Sequence, residues 1–476
     1  MNQNMSKQNL RWQDYLTINI NWFALTTRSQ VLSPLIIPLM VQEFVGDAQK
    51  GTYLGIIRLG GLMFAVLTQS LVGMISDRTQ TKWGKRRPFI FVGAIFESII
   101  IVLIGFSMGM EGMRGFWTLF ALFILSMVGS NISHAATQGF IPDLVPNEKK
   151  GIFSGIKATL ELPLPLIFIS FVLGKQVSEG NLSIALTTII IILLVGMAVT
   201  MFVREKPAEL APPKLDLKPF LRLVAMTAIF TIIIIVSGFG VKYITQIGDN
   251  LPVNQNILLV GFAGLFGMVL AITLGVLFSI QVGLGDEKKS HKSYIWWVIN
   301  RLAFLVAATN LAGFLIFFLQ EKFPEYQGLN AAGPASKIIM FVGIFILISA
   351  LPSGYLADRV GKKTLIRFSG IAVGVGSFMV VFTPSLNWIY FAGCVIGTGV
   401  GLFYTSNWAL GTEIVPKEEA GKYLGISNLA GAGAGAIGAY IGGPIADSNS
   451  YMLLMLIYGL IAFLSIFALK GIQIEE

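Results

Sequence analysis

The chain has 476 residues, 54% of them hydrophobic and only 12% charged, with a formal charge of +9. A soluble domain carries about 25% charged residues, so the mean hydropathy of +0.74 excludes one. The apolar runs of roughly 20 residues suit helices crossing about 30 Å of hydrocarbon, and the alternating pattern of an outer-membrane barrel is missing.

A polar stretch with Lys7, Arg11 and Asp14 leads into the first predicted span, 16–44. Its length, its Arg28 and two prolines, and the lack of a small-residue cleavage site mark it as a retained span rather than a removable signal. Thr17, Asn21 and Arg28 share one stripe of it. The second span, 52–76, carries Arg58, which reads as an interfacial anchor or a polar group, with Gln69 on its face. It ends in Gly73-x-x-Ser76-Asp77-Arg78, and Trp83-Gly84-Lys85-Arg86-Arg87-Pro88 opens the third, 88–110, which carries Glu97.

The fourth span, 116–140, places Asn131, His134 and Gln138 at i, i+3 and i+7, one stripe of a helix. Asp143-Leu-Val-Pro146 and Gly151-Ile-Phe-Ser-Gly155-Ile156 then lead into the fifth, 151–174, where Lys157 and Glu161 form an i, i+4 pair. Mutual neutralisation is the plain account of that pair, because an unpaired charge in lipid is far costlier. A sixth span covers 182–203.

The segment 206–219, with its prolines and charges, cannot span a membrane and reads as a linker. Two further spans, 221–243 and 256–281, have no counterpart elsewhere in the chain and are expected on the outside of the bundle. Six more follow at 293–320, 337–357, 365–384, 388–411, 421–445 and 449–470. The first of these holds Arg301, near one end and open to snorkelling, and Asn310 on roughly the opposite face. Gly354-x-x-Ala357-Asp358-Arg359-x-Gly361-Lys362-Lys363 repeats the earlier loop. Tyr404, Asn407 and Trp408 stand at i, i+3 and i+4. Glu413-Ile-Val-Pro416 and Gly421-Lys-Tyr-Leu-Gly425-Ile426 repeat the Asp143 phrase 270 positions later. The glycine–alanine run at 431–443 lies in mid-span, where small residues let helices approach closely.

The chain is thus expected to be an all-α polytopic membrane protein of about fourteen spans. Two pseudo-symmetric six-helix bundles, 1–205 and 291–476, flank a linker with two extra helices, 206–290. An even span count puts both termini on one side. That side collects 24 of the 34 lysines and arginines, against 6 opposite, so the positive-inside rule makes the termini cytoplasmic and the location a cell membrane. The basic excess is an orientation signal, and nucleic acid is not an expected partner.

The two loop motifs, with the Asp143 and Glu413 phrases, resemble the major facilitator superfamily. The stretched first copy ending in Arg86-Arg87-Pro88 is similar to its glycoside–pentoside–hexuronide and sucrose-transporter-like branch. The resemblance covers about 15–205 and 290–470 and implies alternating-access transport. It also implies a cavity lined by the first, fourth, seventh and tenth core spans, hence substrate contacts at Arg28, Asn131, His134, Gln138, Arg301, Tyr404, Asn407 and Trp408. A gating role falls to Gly73, Asp77, Arg78, Gly84, Arg86, Arg87, Gly354, Asp358, Arg359 and Gly361. Physically, a carboxylate closing a span can meet a neighbouring helix's positive N-terminus or a basic loop. The 270-residue offset pairs His134 with Tyr404 and Gln138 with Trp408, so the two stripes should face each other.

Aromatic faces and amides suit a sugar. Glu161, Lys157, Glu97 and His134 are candidates for coupling, with a proton as the ion, since the acidic residues of sodium-coupled relatives in spans 1, 2 and 4 are missing. The membrane cations Arg28, Arg58, Lys157 and Arg301 outnumber Glu97 and Glu161, which keeps an organic anion open as the solute. A non-transporting assembly or sensing factor is a further alternative. No nucleotide-binding loop, metal-ligand cluster or nucleophile–base pair appears, so neither an enzyme nor a cofactor is expected. The expected state is a monomer in the bilayer.

Overall fold

The computed structural model describes residues 10–205, 216–284, 292–415 and 420–473. Positions 206–215 of the linker, 416–419 of the second repeated phrase, and Lys7, Lys288 and Lys289 of the charge pattern lie outside these residues. The described chain is helical. Among the described residues, thirteen segments are long and apolar enough to cross a membrane. In order they are α1 (Trp12–Val45), α2 (Lys50–Ser76), α3 (Arg87–Ser107), α4 (Gly112–Leu144), α5 (Asn147–Ser178) and α6 (Leu182–Thr200). Then come α7 (Lys218–Gly248), α8 (Val253–Gly283), α9 (Lys292–Gly313), α10 (Gly328–Val360), α11 (Lys362–Val381) and α12 (Leu386–Ile414). Helix α13 (Ala420–Ser448) precedes α14 (Tyr451–Gly471).

The packing repeats. In the first half α1 lies against α5 and α6, and α4 lies between α2 and α3, with α3 on α6. In the second half α9 lies against α13 and α14, and α12 lies between α10 and α11, with α11 on α14. The two bundles meet along two seams, α2 with α13 and α5 with α10. Apolar side chains such as Phe106, Phe202 and Leu351 stand exposed on the outside, as a lipid-facing surface requires.

Helices α7 and α8 form a hairpin on the outer face of α13, also touching α2, α9 and α14. Phe230 of α7 fills the space beside Gly433, and Tyr440 lies over Gly238. The hairpin turn bonds the end of α13, through Ser448 Oγ to Asp249 at 2.7 Å and Asn449 Nδ2 to Asn256 at 3.3 Å. The extra pair therefore sits outside the bundle, as expected.

Three of the inward helices are irregular. Helix α1 widens to a π turn at Leu32–Ile36, where Pro34 has no N–H for the ladder. Helix α5 breaks at Leu162, ahead of Pro163, and widens again at Ile169–Leu173. Helix α9 is interrupted at Phe314 and resumes as Leu315–Lys322.

Candidate functional site

The first half presents a wall built on α1, α4 and α5. Asn21 Nδ2 donates to Thr137 Oγ1 at 2.7 Å and to Ser133 Oγ at 3.2 Å, clamping α1 to α4. One residue on, the Trp22 ring lies beneath the Lys157 ammonium at 4.0 Å and edge-on to His134 at 5.2 Å. Lys157 Nζ is 3.4 Å from Glu161 Oε2, both side chains partly open. Gln138 is exposed and within 3.2 Å of the His134 ring nitrogen Nε2.

Deeper in the same half lies a second ion pair. Arg28 Nε donates to Glu97 Oε1 at 2.5 Å, Ser126 Oγ donates to the same oxygen at 2.8 Å, and Arg28 Nη2 bonds Ser126. Arg28 and Glu97 are both 1% exposed. The structure gives Arg28 to Glu97, not to an open chamber, because a guanidinium buried without a carboxylate would be far costlier than the pair. Asn131 is likewise buried, its amide held by the Met127 carbonyl at 2.8 Å.

The second half answers with α9 and α12. Arg301 Nη1 donates to Asn407 Oδ1 at 3.0 Å, Asn407 Nδ2 donates to Asn300 Oδ1 at 3.1 Å, and Trp297 Nε1 reaches the Asn407 carbonyl at 3.0 Å. The Arg301 guanidinium lies between two rings, 5.9 Å from Trp297 and 5.5 Å from Trp408. It is 8% exposed and does not snorkel. Tyr404 and Trp408 keep 43% and 40% of their surface open, and the Trp408 ring lies against the buried Arg301 guanidinium.

The polar clamp is duplicated: Asn21 to Thr137 in one half, Asn300 to Asn407 in the other. Of the residues predicted to touch a solute, Gln138, Tyr404 and Trp408 stand open and His134 is half-buried. Arg28, Asn131, Asn407 and most of Arg301 lie behind them.

Arg58 is a correction. It is no interfacial anchor: its guanidinium crosses to the other half, covering Gly313 at the break in α9 and bonding Asn310 Oδ1 at 3.4 Å. Asn310 itself bonds the Ala434 carbonyl of α13 at 3.1 Å. With Arg28 and Lys157 both paired to carboxylates, the cationic surplus expected in the membrane shrinks to Arg58 and Arg301.

The two ends of the bundle differ. At the end where α1 begins and α14 finishes, here the near end, none of the described residues stands within van der Waals reach above Gly73, Gly151, Gly155, Gly354 or Gly431. The opening stretch of α5, Lys150–Glu161, buries only Phe153. At the far end the seams close. Gly51 and Gly443 are in backbone contact, Gly55 meets the Ala439 carbonyl, and Gly174 meets Ser336. Lys50 Nζ bonds Gln320 Oε1 at 3.0 Å, and Gln320 Nε2 bonds Gln42 Oε1 at 3.0 Å, joining the halves. Lys50 also holds Asp47 at 2.8 Å; that bond, with one from Gln42, keeps the Asp47 carboxyl below the usual carboxylate range.

The loop motifs sit at the near end. Arg86 is the hub of the first: it bonds Asp77, the Asp143 carboxylate at 3.0 Å and Ser76 Oγ at 3.0 Å. Its backbone N–H donates to Glu205 at 2.9 Å. Lys85 also reaches Asp143, at 3.0 Å. Asp77 thus meets the basic loop and not a helix N-terminus. Gly84, at φ +97°, leaves room for Glu205, and Arg87 Nη1 caps the Met201 carbonyl at 2.9 Å. Arg78 Nη1 bonds the Met74 carbonyl at 2.9 Å. In the second copy Lys362 pairs with Glu413, Arg359 lies over the Tyr355 ring at 4.4 Å, Gly361 turns the chain at φ +86°, and Asp358 is exposed. In both halves the acid of the repeated phrase, Asp143 or Glu413, takes a base from the motif loop.

Trp22, Ser126, Trp297 and Asn300 were not singled out from sequence. The signal available was the equivalent placing of Asn21-Trp22 and Asn300-Arg301 on the first span of each half.

Comparison with known proteins follows this geometry. The family model described as MFS/sugar transport protein matches residues 50–282, and the one described as Major Facilitator Superfamily matches residues 302–473. The multi-drug resistance efflux pump PmrA of Streptococcus pneumoniae is 28% identical over 143 residues, 29% of this chain and 36% of that one. The minor myo-inositol transporter IolF of Bacillus subtilis is 31% identical over 127 residues, 26% of this chain and 27% of that one. The chain therefore matches about a third of the length of these relatives. A crystal structure of a mutant of the nucleoside transporter NupG aligns over 96% of this chain and 99% of that one, with a TM-score of 0.67 at 12% identity. That is a likeness of fold.

Proposed function

Because the chain belongs to the major facilitator superfamily, we propose that it is a secondary transporter. It carries a small polar solute, a sugar or glycoside, by alternating access with proton symport. The reading rests on one observation: two aromatic–polar walls, the half-buried His134, Lys157 and Glu161 over Trp22 and the open Tyr404 and Trp408 over Arg301, lie in bundles sealed at the far end and apart at the near end. Exposed rings stack on the C–H faces of a sugar, and the amide of Gln138 and the imidazole of His134 bond its hydroxyls. The matched sugar-transport family model supports that solute class.

Burial of Arg28 against Glu97 makes a neutral solute a better match than an organic anion, since two of the four membrane cations are already neutralised. Coupling falls to Glu161, the partly open carboxylate of the chamber wall. Its proton exchanges as Lys157 turns between Glu161 and the Trp22 face.

The test is uptake into liposomes by purified protein. An imposed proton gradient should accelerate uptake of a sugar; indifference to both proton and sodium gradients rejects symport. Glu161→Gln should abolish gradient-driven uptake while sparing solute exchange, and unchanged driven uptake removes Glu161 from coupling.

A further inference from the structure

The far-end seam contains a contact that none of the sequence motifs announces. Helix α2 starts at Lys50, and its N-cap residue, Gln49, makes no side-chain capping bond. A helix start leaves backbone N–H groups unsatisfied, and here they are met from the other half of the molecule. Asp447, in the last turn of α13, accepts from the Gly51 N–H at 2.8 Å on Oδ1 and from the Thr52 N–H at 2.7 Å on Oδ2. Tyr451 Oη, at the start of α14, donates to Oδ1 at 3.3 Å.

We propose that Asp447 is a latch for the far end, an N-cap supplied in trans whose release lets the two bundles part there. Three features carry this. A carboxylate on a helix start is favoured twice, by its hydrogen bonds and by the positive end of the helix dipole. Both oxygens are used, which fixes α13 against α2 in angle as well as distance. The contact also sits where the backbones are closest, beside Gly51 and Gly443, so a small rotation of either helix breaks both bonds together. The ion pairs among the described residues join groups of one half. Among the polar contacts that cross between the halves in the described residues, the Asp447 cap is the one that engages an ionisable carboxylate; Lys50–Gln320, Gln42–Gln320 and Arg58–Asn310 rest on amides.

The two seam helices run antiparallel. Asp447 ends α13 and caps the start of α2 at the far end. Asp77 ends α2 at the near end, where α13 begins, and is held there by Arg86. Each of the two seam helices thus finishes in an aspartate, and with the far end shut it is the Asp447 carboxylate that caps the partner helix.

The latch rests on the transport reading only for its use, and it is measured without solute. In a Cys394→Ser background, spin labels at Ala48→Cys and Glu325→Cys report the far-end separation of the halves. The parent should give one short distance. Asp447→Ala should add a longer one, raising its population roughly five-fold or more, whereas Asp447→Asn, which can still cap, should stay nearer the parent. A parent-like distribution in Asp447→Ala overturns the proposal. Should that variant not fold, hydrogen exchange on the parent decides: slowed exchange at Gly51 and Thr52 supports the cap, and exchange as fast as at an open helix start refutes it. A longer distance in Asp447→Ala from a protein that carries no solute would leave the latch standing and remove the transporter.

Discussion

Arg28 and Glu97 show how burial reassigns a residue. From the sequence, Arg28 on the first span was a candidate for the solute and Glu97 for the proton. In the fold they neutralise one another, with Ser126 bonding both. Breaking a buried pair from one side costs about 3 kcal/mol or more, whereas replacing both partners by apolar groups is often neutral. Glu97→Gln should therefore lower the melting temperature of the purified protein markedly, and adding Arg28→Met should restore most of it. A single variant that melts with the parent would leave the pair without a structural role. His134 and Trp408 were assigned to a face by stripe alone, because residue spacing fixes the face of a helix.

At the scale of elements, α13 is the pivot. Its run of small residues lets α2, the broken α9 and the α7–α8 hairpin approach its backbone from three sides. Without a hydrophobic drive between helices in lipid, that close approach is what holds them. Gly55→Leu on α2 would push into the Ala439 carbonyl and hold the far-end seam open. A thiol at Gln138→Cys, with Cys394→Ser, should then react with a membrane-impermeant reagent added on the far side, where the parent stays unlabelled. An unreactive thiol would mean the far-end seal does not depend on this seam.

For the whole molecule, the hairpin of α7 and α8 is bonded to the far end of α13 and touches the second half more than the first. It should ride with that half as the bundles rock. A chain lacking 216–284, rejoined by a flexible linker, is expected to fold with a lower melting temperature yet keep gradient-driven uptake. Loss of uptake in a well-folded deletion would give the hairpin a part in transport.

The span count, the two-fold repeat, the loop motifs and the place of the extra pair could be read from the chain, because hydrophobic length and residue offsets are properties of one dimension. The partners of the charges could not. Arg28 lies 69 positions from Glu97 and Asp447 lies 396 from Gly51, and no local pattern ties them. Only the packed bundle decided which cations were neutralised, which rings stayed open, and which end was shut, since each depends on helices distant in sequence reaching hydrogen-bond range.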